Sequence, residues 1–162
     1  DLARWYLTPY AGEPRDLSAW ATQRRDAPAA WENLDVQVSF GTAQALVTRS
    51  IAAWGHQVRL QLVGTEGALE ATWRGDMDLD KSPDQALYLK RGHEPAAEVV
   101  RVPVPPSGHA FDVPRQTEAF LAAIRGEKSQ LALAADGRAS VALCLAVEEA
   151  LGSGTRVALN RT

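Results

Sequence analysis

The chain has 162 residues, 46% hydrophobic and 23% charged, with a formal net charge of −3. That composition is enough for one globular domain with a sizeable core, and its acidic balance excludes an electrostatic footprint for nucleic acid. No apolar run reaches the roughly 18 residues that a membrane helix needs.

Taken in chain order, "DLARWYL" reads as a short helix with Leu2, Ala3 and Leu7 on one side and Asp1 and Arg4 falling away from it. "TPYAGEP" is a turn rich in Pro and Gly. "RDLSAWATQRR" reads as a strand and "APAAWEN" as a loop. "LDVQVSF" alternates without fault, Leu34, Val36, Val38 and Phe40 on one face and Asp35, Gln37 and Ser39 on the other, which is a half-buried strand. Gly41-Thr42 turns into the long strand "AQALVTRSIAAW". Gly55-His56 then turns into "QVRLQLV", and "GTEG" into "ALEATW". Runs joined by such short turns form an antiparallel meander, because parallel neighbours need long crossovers.

Residues 74–84 are polar and turn-rich and read as an excursion. "QALYLKR" and "AEVVRVPV" add two strands. The period then changes. Val113, Thr117, Phe120, Leu121 and Ile124 recur at helical spacing up to Gly126. A further helix starts at an Asp136 N-cap and carries the stripe Ala139, Leu143, Ala146, Val147 and Ala150, closed by Gly152 and Gly154. "TRVAL" is a last strand. The expected architecture is α+β, a two-layer sandwich of one large, mainly antiparallel open sheet with its helices on one face. β-Strand residues that are apolar on both faces (Ala45, Val47 and Ile51 against Leu46 and Trp54; Val99 against Val100) point to a partner on the open sheet face.

The residues show no complete catalytic set. No Gly-rich turn leads from a strand into a helix to cradle a phosphate. His56, His93 and His109 fall in expected loops or turns, at spacings unlike a zinc motif. "GDMDLD" lacks the central Gly and distal Glu of a calcium loop. No metal site is expected. The single Cys144 cannot form an intramolecular disulfide, reads as a small core residue and fits a reducing cytoplasm. Of the five tryptophans, Trp31 and Trp54 are those expected to be exposed. Asp112 and Arg115 stand just before the late helix, where Asp112 is expected to serve as its cap.

Several phrases, in their order, resemble the C-terminal domain of the Gfo/Idh/MocA oxidoreductases. "DLARWYL", "GEP" and "SFGTAQALVTRSIAAW" are similar to its start, "LQLVGTEGALEATW" to its central hairpin, "FDVPRQTEAFLAAIRGEK" to its late helix, and "AADGRASVALCLAVEEALGSGTRVAL" to its closing helix and strand. The resemblance covers nearly the whole chain and implies a dihydrodipicolinate-reductase-like C-terminal fold. It also implies an N-terminal Rossmann domain that binds NAD or NADP, with a Lys-Pro segment at its end. In such a parent, hydride passes between a hydroxyl-bearing carbon and the nicotinamide.

Asp1 matches the last residue of the family's His-x-x-Asp pattern, so the catalytic His is expected three residues before Asp1. By this reading residues 1–162 are a single substrate-binding and oligomerisation domain, truncated at its N-terminus. The fragment alone is expected to be inactive and to bind no cofactor. Its implied partners are the Rossmann domain, a small-molecule sugar or polyol substrate, and further copies of itself. The expected substrate-lining residues are Asp1, Arg4, Trp54, His109, Phe111, Asp112 and Arg115; where some relatives carry Tyr, this chain has Phe111 and lacks that hydroxyl. The alternative from another class is a freestanding, non-catalytic α+β binding or dimerisation module.

Overall fold

A computed structural model describes residues 1–27, 30–53, 55–76 and 80–159. The elements are α1 Leu2–Ala11, β1 Asp16–Gln23, β2 Trp31–Ser39, β3 Gln44–Ser50, β4 Gln57–Gly64, β5 Gly67–Arg74, β6 Asp84–Arg91, β7 Val99–Val102, α2 His109–Ile124, α3 Ala134–Ser153 and β8 Val157–Ala158. The α+β class expected from the sequence is what the structure shows, and the expected antiparallel pairing of sequence neighbours holds within β1–β3 and within β4–β7. The strands are paired in two sets of four, β3-β2-β1-β8 and β4-β5-β6-β7. They belong to two compact units, residues 1–52 with 132–162, and residues 53–131.

In the first unit, strand alternation decides the core. Leu17 pairs with Val38 and Ala19 with Val36, and Val36 in turn pairs with Val47. These side chains therefore share one face, as the period of two requires. Leu17, Val36, Val38, Phe40, Ala146, Ala150 and Val157 form the buried cluster, with Phe40 fully enclosed. Ala3, Leu7 and Ala11 of α1 and Leu143 and Val147 of α3 pack against the same cluster. The expected α3 stripe thus faces the sheet, and its alanines let the helix come close. The opposite face carries Ser18, Asp35, Gln37 and Thr48 among the exposed Trp20 and Leu46.

Several boundaries differ from the expected ones, each for a local reason. α1 runs on through Pro9 to Ala11, so "TPYA" is helix and the turn begins at Gly12, whose φ is +77°. Leu2 is exposed, leaving Ala3 and Leu7 as the packed side. "WEN" is strand and not loop, because Trp31 and Asn33 pair with β1. β3 ends at Ser50 rather than 54. Asp136 is not the N-cap of α3 but lies three residues inside, where its Oδ2 accepts the Leu133 N–H at 2.8 Å. This is the carboxylate half of a capping box. Cys144 is exposed, not core; at 100° per residue it is turned away from the stripe that buries Ala146 and Ala150.

In the second unit the GTEG segment is the tight hairpin expected, with Gly64 opposite Gly67. Gly67 also has φ +148°, and a Cβ there would stand 2.0 Å from the Lys90 carbonyl oxygen of β6. One face of the sheet is apolar by register: Val58, Leu60 and Leu62 of β4, Leu69, Ala71 and Trp73 of β5, Leu87 and Leu89 of β6, and Val100 and Val102 of β7. The α2 stripe is at its positions, but Val113, Phe120, Leu121 and Ile124 remain exposed.

Candidate functional site

Four of the seven sequence-derived candidates come together at the start of α2. The helix begins at His109, four residues earlier than Val113, so His109 and Phe111 are helical and not in a loop. The reason lies in Gly108 and Asp112. The Gly108 carbonyl accepts the N–H groups of Phe111 and Asp112 at 2.9 and 2.8 Å. The Asp112 Oδ2 returns to the Gly108 N–H and the Ser107 hydroxyl, both at 2.8 Å. Asp112 therefore closes the first turn from inside rather than capping it from outside.

Arg115 Nη1 donates to the Pro106 carbonyl at 2.8 Å and lies 3.1 Å from Asp112 Oδ1. Partial burial pushes the Asp112 carboxyl up, but the hydrogen bonds from the Gly108 N–H and the Ser107 hydroxyl, with the Arg115 guanidinium, outweigh it. The net effect holds Asp112 below the usual carboxylate range.

The turn in front of this helix is anchored from the sheet. Trp73 Nε1 donates to the Ser107 carbonyl at 3.0 Å. Gln85 Nε2 donates to the Pro105 carbonyl at 2.7 Å, and its Oε1 accepts the Ser107 N–H at 3.0 Å. His56 meets the Trp73 ring edge-on, with centroids 5.6 Å apart. Sequence reading singled out neither Trp73 nor Gln85 as a site residue. The available signal was Gln85 itself, an amide at a position where strand alternation places an apolar side chain.

Asp1 and Arg4 belong to the other unit. Asp1 Oδ1 accepts the Ser140 hydroxyl at 2.9 Å, and Arg4 Nη2 is 3.6 Å from Glu13 Oε2. Trp54 lies outside the described residues. Trp31 is half-buried, while Trp5 and Trp20 are the tryptophans found exposed.

Among the described residues no group of His, Cys, Asp and Glu is arranged to hold a metal ion. No helix there is long and apolar enough to cross a membrane. The described strand pairs are antiparallel, and the described helices start after Asp1, Gly108 and Leu133. Among the described residues, no Gly-rich turn leads from a strand into a helix, the arrangement that holds the pyrophosphate of a dinucleotide.

Three solved structures share the fold at 15% sequence identity. A candidate NADPH-dependent oxidoreductase from Desulfitobacterium hafniense matches with a TM-score of 0.75, over 97% of this chain and 44% of its own. A candidate oxidoreductase, YvaA, from Bacillus subtilis matches at 0.65, over 93% and 48%. The WlbA dehydrogenase from Bordetella pertussis, in complex with NADH and UDP-GlcNAcA, matches at 0.56, over 99% and 44%. The chain thus spans less than half the length of these relatives. No curated protein matches the sequence significantly. The model of the oxidoreductase family's C-terminal alpha/beta domain matches residues 1–159, and by that match the chain belongs to the Gfo/Idh/MocA oxidoreductases.

Proposed function

We propose that residues 1–162 act as the substrate-binding and oligomerisation domain of an NAD(P)-dependent oxidoreductase that works on a sugar, polyol or related hydroxyl compound. The carrying observation is the family match over residues 1–159. A further fact supports it: the chain covers 44–48% of its solved relatives. The cofactor is then held by a Rossmann domain and not by this chain. Within the second unit, the substrate-facing element is the start of α2, with His109 and Phe111 as lining residues and Asp112 and Arg115 closing the turn. Asp1 and Arg4 are the lining candidates of the first unit. Self-association uses the outer face of the first sheet, where Trp20 and Leu46 are 60% and 72% exposed among short polar side chains; a Trp in that setting is a usual interface anchor. The reading places the protein in the cytoplasm.

The test is a steady-state assay of the protein carrying this domain beside its nucleotide-binding half. NAD and NADP would each be offered with a panel of aldoses, inositols and nucleotide sugars. Nicotinamide-dependent turnover of at least one compound is expected, and none with any of them overturns the reading in favour of a non-catalytic module. NADH titrated into the 162-residue chain alone should show no saturable fluorescence change in the micromolar range. Light scattering of that chain at high concentration should show an oligomer; a clean monomer overturns the oligomerisation part.

A further inference from the structure

Gln85 breaks the pattern of the strand that holds it. On β6 the alternation puts Gln85, Leu87 and Leu89 on one face, and across the register they join Trp73, Ala71 and Leu69. Its neighbours on that face are apolar or aromatic, so a primary amide stands where alternation places an apolar side chain. A locally unfavourable residue of this kind marks a place where something other than stability was selected.

What the amide does is specific. Its Nε2 donates to the Pro105 carbonyl and its Oε1 accepts the Ser107 N–H, so one planar group grips the turn at residues i and i+2 through groups of opposite polarity. A Glu carboxylate keeps only the acceptor, and a Leu keeps neither. Trp73, directly opposite in the register, takes the Ser107 carbonyl with its indole N–H. Arg115 takes the Pro106 carbonyl between them. The three consecutive carbonyls of Pro105, Pro106 and Ser107 are thus each held by a different side chain. The fourth, that of Gly108, starts the helix.

We propose that Gln85 and Trp73 are positioning residues that fix the direction in which the start of α2, with His109 and Phe111, meets substrate. The inference rests on the substrate-binding reading above. The sheet supplies the base, and the two side chains tie the Pro-Pro-Ser-Gly turn to it, while Asp112 and Arg115 tie the same turn to the helix. Such support from behind is what holds a binding constellation within the tolerance that productive geometry needs.

The test uses Gln85→Leu and Gln85→Glu. In the 162-residue chain, hydrogen exchange reports the clamp. The Ser107 amide should exchange about tenfold faster in Gln85→Leu, which removes its acceptor, and less so in Gln85→Glu, which keeps one. The Leu69 and Leu87 amides should stay within about twofold of the parent, because their ladder is untouched. In the protein with its nucleotide-binding half, Gln85→Leu should raise KM about tenfold with kcat changed less than about threefold, the signature of lost binding geometry rather than lost chemistry. Trp73→Phe, which keeps the ring and loses the N–H, should move KM in the same direction.

Unchanged exchange at Ser107 in Gln85→Leu overturns the clamp. Faster exchange with an unchanged KM overturns the positioning role. A parent protein that turns over none of the panel overturns the substrate-binding reading instead, a failure recognisable because it appears before any substitution is made.

Discussion

Gly108 lies against the indole of Trp73, so closely that a Cβ added to the glycine would stand 3.2 Å from Cζ2, at a backbone φ of +117°. Both facts disfavour a side chain there. That φ is open to glycine and strained for other residues. Gly108→Ala should therefore destabilise the second unit by about 1–3 kcal/mol. Urea unfolding followed by tryptophan fluorescence is the measurement, and an unchanged midpoint would mean that the turn relaxes freely.

Asp112 adds a pH dependence with a definite sign. Its carboxyl is held below the ordinary value by the Gly108 N–H, the Ser107 hydroxyl and Arg115, against an opposing push from partial burial. A lowered native pKa means that the ionised form is the stabilising one. The contribution is fully present above the unfolded value of about 3.9 and is lost as pH falls through the lower native one. Asp112→Asn should therefore flatten the acid side of the stability profile below about pH 4 and leave its shape near neutrality unchanged. The side chain is 49% exposed, so solvent screening keeps the effect small. Unfolding midpoints of the two proteins across that range decide it, and parallel profiles would refute the assignment.

The core of the first unit turns on Phe40, which is fully enclosed against Leu17, Val36 and Val38. Phe40→Ala should cost about 3–5 kcal/mol, the usual loss of transfer energy plus a cavity. The reverse error is informative at Ala150, 1% exposed where α3 meets the sheet. Ala150→Leu should cost about 1–3 kcal/mol by overpacking. Thermal unfolding of both variants is the check, and a neutral Ala150→Leu would show that α3 can lift from the sheet.

At the other end of that helix, Asp136→Ala removes the acceptor for the Leu133 N–H. It should destabilise the first unit by about 0.5–2 kcal/mol, while Asp136→Asn recovers part of the loss. Circular dichroism during urea titration reads the difference.

Much of this was legible in the residues. The alternation of Leu34, Val36, Val38 and Phe40 gave the buried face of β2, and Ala139, Leu143, Ala146, Val147 and Ala150 gave the face of α3 that packs. Both signals are periodic, and periodicity is what burial imposes on a chain. The start of α2 was not legible, because it depends on Asp112 reaching back four residues to Gly108 and on anchors that come from two strands. Cys144 misled because its sequence neighbours are apolar, whereas helical rotation carries it off the packed stripe. Trp73 read as one more tryptophan; only its opposition to Gln85 across β5 and β6 shows what it holds.

The first sheet also sets an order of events during synthesis. Leu17 pairs with Val157, and Arg156 binds Asp16 across 140 residues. Its buried cluster takes Ala146, Ala150 and Val157 from the end of the chain. The strands β4 to β7, by contrast, lie in one continuous stretch between. At about 5–20 residues per second, the ribosome delivers that stretch several seconds before the first sheet can close. The second unit is free to fold first, while Leu17, Val38 and Phe40 wait with one side uncovered. A nascent chain halted before α3 leaves that apolar surface uncovered until α3 and β8 arrive to close it.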